Sequence, residues 1–303
     1  MKSFPAHTGP RTVSRRRFAL YFVIAATAIG LASCRQNVDL SAIAALSETV
    51  GETQGSFAEL SDDFRASCLR TIGWQRAAEP NMAPDAFTSC AEEAKAARQW
   101  QAANSVVTSY VAALGTLAGG SDNAGDYGLG TFAQTFGSLG ITKTFRADRQ
   151  KAVAGAAAAL VAGYFKAKRR DALAPIVTGA DAELDTIVST LEDVGRTNYV
   201  TQLATERLSV RLFFEPNLSR VKLGLPALQA LQYRTAERDA QRDIDNRQGA
   251  VDPYIAALEN IRVTHAQIAG AVSSNRLADV AGILRGYVQT SKPQLAALQK
   301  AFK

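Results

Sequence analysis

The spacing of apolar side chains along this chain indicates long amphipathic helices. Between residues 43 and 64, apolar residues and one threonine recur at alternating intervals of three and four, which places them on one helix face. We therefore predict a first long helix over about residues 38–71. The stripe consists of Ile43, Leu46, Val50, Thr53, Phe57, Leu60 and Phe64.

Glycine- and proline-containing segments divide the rest of the chain. The segment from Gly73 to Pro84 contains two prolines and a glycine, and it predicts a break. A second helix is expected from Asp85 to about Leu117. Later breaks are expected near Gly195, at Glu215-Pro216-Asn217 and at Ser273-Ser274-Asn275, and a further helix starts at about Pro226.

No stretch shows the sustained alternation that a half-buried strand needs. Alanine, the best helix former, is frequent throughout the chain. We therefore predict an all-α fold, in which six to eight helices pack as an elongated bundle with heptad-like long helices. Residues 38–303 form a single helical domain in this interpretation.

The N-terminal segment has a composition of its own. Five basic residues (Lys2, Arg11, Arg15, Arg16 and Arg17) precede an apolar run over residues 18–30. This run is shorter than the roughly 20 residues of a membrane span and fits the apolar part of a signal peptide. Leu31-Ala32-Ser33-Cys34 follows directly.

This arrangement resembles the processing site of a bacterial lipoprotein. The resemblance implies that residues 1–33 are a signal peptide removed before Cys34, that Cys34 carries the lipid, and that residues 34–37 are a lipidated tether. An ordinary signal peptide with a chance cysteine and a short transmembrane anchor are the alternatives.

The resemblance also implies a location. A protein of this class is held by its lipid in the bacterial cell envelope and faces the periplasm. Arg35 follows the cysteine, and the sorting rule of enteric lipoproteins then favours the outer membrane. Ser14-Arg15-Arg16-Arg17-Phe18 also resembles a twin-arginine signal, so the choice between the general and the twin-arginine export route stays open.

Removal of the signal peptide changes the electrostatic picture. The whole chain carries a net charge of +6. Without the five basic residues of the signal peptide, 29 basic and 28 acidic residues remain, a net of +1. The global charge therefore gives no support to nucleic-acid binding.

Two cysteines remain after Cys34. Cys68 lies near the end of the first predicted helix and Cys90 near the start of the second. In an oxidising compartment they favour one disulfide, which would staple a helical hairpin at its loop end. Two buried free thiols are the alternative, whereas a metal site would need ligands beyond two thiolates.

Residues with catalytic or cofactor-binding patterns are scarce. His265 is the only histidine after the signal peptide, which argues against a histidine triad or a multi-histidine metal site, and it occupies a core-facing position. No phosphate-binding or dinucleotide-binding fingerprint is present. We therefore predict no catalytic residue, no cofactor and no metal. The adjacent acids Asp62-Asp63, Glu92-Glu93 and Glu192-Asp193 are interpreted as surface charge. The charged stretch from Arg234 to Arg247 is interpreted as solvated helix surface, with a partner-binding face as the alternative.

Three functions are compatible with this pattern. The first is a non-enzymatic envelope lipoprotein that docks or scaffolds a protein partner. The second is a bundle that binds a small or apolar ligand in a cavity lined by residues such as Phe132, Phe136 and Tyr164. The third is a cell-wall enzyme that uses carboxylates alone. The apolar stretch from Ala152 to Phe165 is interpreted as the central helix of a soluble bundle, because it is too short to span a membrane; an element that inserts into a membrane is the alternative.

Overall fold

The computed structural model describes residues 40–79, 90–118, 142–166, 177–219 and 226–302. Over these ranges the chain is almost entirely helical and contains no strand, which confirms the all-α prediction. The helices are α1 (Leu40–Ala78), α2 (Ala91–Ala118), α3 (Ala147–Lys166), α4 (Asp181–Asp193), α5 (Val200–Ser219), α6 (Ala227–Gln248), α7 (Val251–Ser273) and α8 (Leu277–Lys300), and a π-helical segment (Val194–Tyr199) joins α4 to α5.

Helices α1 and α2 form an antiparallel hairpin. The predicted stripe of α1 is buried from Leu46 to Phe64 and packs against α2 side chains such as Trp100 and Tyr110. The Cys68–Cys90 disulfide closes one end of the hairpin. At the other end the Leu46 side chain occupies the space that a Cβ atom at Gly115 would need, so glycine permits this close approach.

The predicted end of α1 is wrong. The helix does not stop at Gly73 but continues to Ala78. Just beyond this glycine, Trp74 packs against Phe213 and Phe214 of α5, with ring centroids 5.4 Å apart in each pair. One glycine weakens a helix by only about 1 kcal/mol, and burial of aromatic surface offsets this cost.

The chain between α4 and α5 also differs from the prediction. Near Gly195 the helix widens into the π-helical segment and then continues. The expected end at Pro216 is wrong as well, because α5 contains Pro216 and runs to Ser219. Pro216 and Leu212, the residue four positions earlier, both lie on the exposed side of α5. Water can therefore reach the Leu212 carbonyl that the missing proline N–H leaves unbonded.

Helix α5 runs parallel to α1. The contacts along α1 pair Asp63 with Tyr199, Arg70 with Glu206, and Trp74 with Phe213. Residue numbers therefore increase in the same direction along α1 and along the segment that contains α5. Helix α6 folds back antiparallel to α5, because Arg207 near the start of α5 pairs with Asp245 near the end of α6. The end of α5 and the start of α6 therefore lie toward the end of α1 that carries Trp74.

The last two helices complete the described bundle. The predicted break at Ser273-Ser274-Asn275 is confirmed, and Asn275 adopts a positive φ of 53° in the turn between α7 and α8. Helix α8 packs on α1, where Gln299 donates a hydrogen bond to Ser56 at 3.4 Å. Among the described residues, no helix combines the length and the apolar character that a membrane crossing requires.

Candidate functional site

Four charged side chains are gathered where α1, α5 and α6 meet. Asp63 and Arg70 lie on one face of α1, Glu206 comes from α5, and Arg247 comes from the last turn of α6. Glu206 is only 1% exposed, Arg247 4% and Asp63 8%. We call these four residues the charge cluster. Buried charges at this density require close pairing, because desolvation of an isolated ion is very unfavourable.

Both arginines donate hydrogen bonds to Glu206, and Arg70 also donates one to Asp63. Arg247 donates from Nη1 to Glu206 Oε2 at 2.8 Å and from Nη2 to Glu206 Oε1 at 2.9 Å. Arg70 donates from Nε to Glu206 Oε1 at 2.8 Å and from Nη2 to Asp63 Oδ1 at 2.6 Å. The planar guanidinium of Arg247 thus engages Glu206 in the bidentate geometry that gives the strongest arginine–carboxylate pairs.

Two hydroxyl groups complete the charge cluster. Ser67 donates to Glu206 Oε2 and Tyr199 donates to Asp63 Oδ2, each at 2.7 Å. Every carboxylate oxygen of Asp63 and Glu206 therefore accepts at least one hydrogen bond. Two positive and two negative charges leave the charge cluster formally neutral.

The contacts between Glu206 and Arg247 keep these two groups ionised. Burial alone would raise the pKa of Glu206, but hydrogen bonds from Arg247, Arg70 and Ser67 lower it below its ordinary value. Burial alone would lower the pKa of Arg247, but its hydrogen bonds and attraction to Glu206, with a contribution from Asp63, raise it. Neither group exchanges protons near neutral pH, and no carboxylate oxygen is free to act as a base. The arrangement joins three helices and is poorly suited to proton transfer.

A second polar network lies in the core between α2 and α7. Trp100 Nε1 donates to the Tyr254 hydroxyl at 2.8 Å, and this hydroxyl donates to Asn104 Oδ1 at 2.9 Å. Asn104 in turn donates to Ser61 of α1 at 3.3 Å. Trp100, Tyr254 and Asn104 are each at most 2% exposed, so these hydrogen bonds satisfy polar groups inside the core.

His265 lies in the core, as its position in the stripe predicts, and is 2% exposed. Its Nδ1 is 3.0 Å from the Tyr110 hydroxyl, and its Nε2 is 3.4 Å from Asp181 Oδ1. Burial lowers the pKa of His265, although attraction to Asp181 and the backbone of Val177 partly oppose this effect. The hydrogen bond to Tyr110 therefore links α7 to α2, and burial favours the neutral form of the histidine.

The predicted pairing of Cys68 with Cys90 is confirmed, with Cα atoms 5.9 Å apart. Both cysteines are buried together with Ile72, next to Leu69. A Glu93 carboxylate oxygen lies beside the two sulfur atoms. Among the described residues, Cys68, Cys90 and Glu93 form the group whose ligand atoms are close enough together to hold a metal ion. In the disulfide form the sulfurs are bonded to each other. Cys34, the predicted lipidation site, lies outside the described residues.

Two charged residues that the sequence assigns to the surface are buried. Asp63 belongs to an acidic pair interpreted as solvated, and Arg247 ends a charged stretch interpreted in the same way. The interpretation is wrong at these two positions, because their side chains meet Tyr199 and Glu206 from distant parts of the chain. Asp62 and the arginines Arg234, Arg238 and Arg242 are exposed, as predicted. A local signal exists only for Arg247, which follows Ile244 at the spacing of the buried side of α6.

Four leucines on α5 and α6 are unusually exposed. Leu208 and Leu212 are 54% and 55% exposed, and Leu228 and Leu231 are 68% and 61% exposed. In each pair the residues are three or four positions apart and lie on one side of their helix. These leucines are the main large apolar side chains that the described surface presents to solvent.

The predicted ligand cavity cannot be located at its named residues. Phe132 and Phe136 lie outside the described residues, as does the side chain of Tyr164. Between α5 and α6 there is a surface depression of about 570 Å³, lined by Arg211, Glu215, Leu218, Ser219, Arg234 and Glu237. Its mostly charged lining does not favour an apolar ligand.

Comparisons with protein-family models, with curated proteins and with solved structures find no match to this chain. The functional argument therefore depends on the residues and contacts described above.

Proposed function

We propose that this protein is a lipid-anchored, non-enzymatic docking module of a bacterial cell envelope. The observation that carries the proposal is the exposure of Leu208, Leu212, Leu228 and Leu231 on α5 and α6. Each pair forms a small exposed apolar patch on its own helix, and exposed apolar patches are typical of protein–protein contact surfaces. We call these four residues the leucine surface.

The position of the leucine surface relative to the tether supports this function. Helix α1 begins at Leu40, six residues after Cys34, and six residues span at most about 20 Å. An anchor at Cys34 would therefore keep the start of α1 close to the membrane. From Leu40 to Trp74 the helix rises by about 50 Å. Because the end of α5 and the start of α6 lie toward Trp74, Leu228 and Leu231 lie toward the end of α1 that is opposite to Leu40.

The outer face of α6 indicates the chemistry of the partner. Leu228, Leu231, Arg238 and Arg242 share one side of the helix at spacings that fit a heptad, and all four are exposed. Their complement is an amphipathic helix that has apolar residues at one end and acidic residues at the other. A second copy of this chain fits less well, because parallel pairing of α6 with itself would oppose arginines to arginines.

The buried polar groups argue against the enzymatic alternative. In the described part of the chain, the carboxylates of the charge cluster are fully hydrogen-bonded and paired with arginines. Glycoside cleavage by two carboxylates needs one acid with a raised pKa and room for the sugar between them. Glu206 has a lowered pKa and is almost inaccessible. These groups fit a role in holding the docking helices in place.

Photocrosslinking in cells tests the proposal. A photoreactive amino acid at position 228, in the full lipidated chain, should crosslink to one dominant envelope protein. The same amino acid at Lys151, an exposed position on α3, is the matched control and should not crosslink to that protein. Equal crosslinking from both positions, or crosslinks only between copies of this chain, would contradict docking of a distinct partner through α6.

A further inference from the structure

Glu93 lies beside the disulfide and has an unusual environment. One of its carboxylate oxygens and the sulfur atoms of Cys68 and Cys90 all lie within 4.8 Å of one another. The Oε2 atom of Glu93 is buried and has no hydrogen-bond partner among the residues that the structure describes. A buried carboxylate oxygen without a donor is unfavourable and calls for an explanation, such as an ion that binds in another state of the protein.

We infer that reduction of the disulfide converts Cys68, Cys90 and Glu93 into a binding site for one thiophilic divalent cation of the zinc class. Thiolate and carboxylate ligands are those that zinc accepts in proteins, and a water molecule can fill the fourth tetrahedral position. This inference is independent of the docking function, because Cys68, Cys90 and Glu93 are not among the residues of the leucine surface or of the outer face of α6.

The local geometry fits tetrahedral coordination. With zinc–sulfur bonds of about 2.3 Å, two thiolates on one ion are separated by roughly 3.8 Å. The Cα atoms of Cys68 and Cys90 are 5.9 Å apart, so their side chains can reach this separation by small rotations. Cys90 and Glu93 are three residues apart at the start of α2, which places both on one helix face. Cys68 approaches from α1, so the ion would join the same two helices as the disulfide.

A dithiol can act as the reductant of the Cys68–Cys90 disulfide. Two electrons and two protons pass from the dithiol to the disulfide, which gives two cysteine thiols and an oxidised dithiol. Binding of the cation then releases two protons as the thiols become thiolates. The dication offsets two of the three negative charges of the ligands. The metal ion and the disulfide therefore cannot be present at the same time, and either one would link α1 to α2.

Cobalt titration of the reduced protein tests the inference. The full chain carrying Cys34→Ala, so that only two cysteines remain, is reduced with a dithiol and desalted without oxygen. We expect Co²⁺ to bind with one equivalent, with thiolate-to-cobalt charge-transfer absorption and the visible bands of tetrahedral cobalt. Zn²⁺ should displace it. The oxidised protein should show none of these bands.

Two variants separate the role of Glu93 from general metal capture by thiols. Glu93→Gln should weaken cobalt binding by at least about tenfold, since even the loss of an outer-shell partner has effects of that order. Glu92→Gln removes the neighbouring, exposed carboxylate and should leave the affinity unchanged. Equal affinity of Glu93→Gln and the parent would overturn the three-ligand site.

Helicity is followed by circular dichroism in the same samples. Reduced protein that remains helical but shows no thiolate-to-cobalt absorption would overturn the inference. Protein that loses its helicity on reduction and does not regain it with Co²⁺ would overturn it as well, because the site requires the folded hairpin.

Discussion

Arg247, in the last turn of α6, donates hydrogen bonds to both carboxylate oxygens of Glu206 on α5, at 2.8 and 2.9 Å. In α6, which is described along its whole length, the other buried side chains are those of Ala230 and Ile244. The pairing with Glu206 is therefore a buried polar attachment of a helix that is otherwise largely exposed, beside the more exposed contacts of Arg207 with Asp245 and Gln248. Half of the leucine surface depends on this attachment for its position.

Replacement of Arg247 by methionine should strongly destabilise the protein. The variant keeps much of the side-chain volume but leaves Glu206 without its bidentate partner. Loss of one member of a buried ion pair typically lowers the free energy of unfolding by about 3–5 kcal/mol. Urea denaturation measures the change. Arg242→Met, at an exposed position in the same helix, should change the stability by no more than about 0.5 kcal/mol.

The double variant Arg247→Met, Glu206→Leu should be less destabilised than the sum of its single variants. It removes one positive and one negative charge together, and the Asp63–Arg70 pair at 2.6 Å remains. A double-mutant cycle in urea measures the coupling. Additive losses would show that the two side chains do not interact in the folded protein.

Protonation of His265 should destabilise the fold as the pH falls below its ordinary pKa of 6.5. The groups facing it are Tyr110 on α2, Asp181 on α4 and the backbone of Val177. Because burial lowers the folded-state pKa, the unfolded chain binds more protons between the two pKa values. The free energy of unfolding should therefore be highest above pH 6.5, decrease below it, and level off below the folded pKa.

Urea denaturation of the parent protein and of the His265→Asn variant over this pH range isolates the contribution of His265 to the pH dependence of stability. Asparagine can still form a hydrogen bond with the Tyr110 hydroxyl but does not titrate. The variant should lose the slope just below pH 6.5 and keep the acid-induced loss at lower pH, where Glu206 with its lowered pKa becomes protonated. An unchanged slope would exclude His265 as its source.

Removal of the disulfide should lower stability without a change of fold. Cys68 and Cys90 are 22 residues apart, and closure of a loop of this size contributes about 3 kcal/mol in the chain-entropy description. The variant Cys68→Ser, Cys90→Ser should therefore unfold at a lower urea concentration while its circular dichroism remains helical. Equal stability of the variant and the oxidised parent, measured without added metal, would contradict a stabilising staple.

Replacement of Cys34 should release the protein from the membrane. In cells fed labelled palmitate, Cys34→Ala should incorporate no label, and the protein should leave the membrane fraction. Ser33→Ala keeps a small residue before the cysteine and should remain labelled. Membrane association of the Cys34→Ala protein would contradict a lipid anchor at this residue.

The elements that the sequence predicts well depend on local patterns. The apolar stripe from Leu46 to Phe64 marks the buried face of α1, and the positions of Cys68 and Cys90 relative to their helices indicate their pairing. The Ser273–Asn275 break is likewise a local signal. In each case the residues that decide the structure are close in sequence or follow one helical period.

The elements that the sequence predicts poorly depend on contacts between distant segments. Gly73 and Pro216 do not end their helices, and near Gly73 the contacts of Trp74 with α5 add tertiary stabilisation. The charge cluster joins Ser67 to Glu206 across 139 residues of sequence. Glu206 lies at helical spacing between the buried Leu203 and Val210, but the sequence does not show which partners on other helices allow it and Asp63 to be buried.

Crosslinking at position 228, repeated with charge reversal on the same face of α6, tests docking most directly. In the parent chain we expect one dominant crosslinked envelope protein, joined through a peptide of a predicted helix in which apolar residues are followed by acidic ones. Arg238→Glu together with Arg242→Glu should reduce this crosslink at least about tenfold, as expected for lost charge complementarity. A crosslink to the same protein with unchanged yield, or no specific crosslink in the parent, would contradict docking through the outer face of α6.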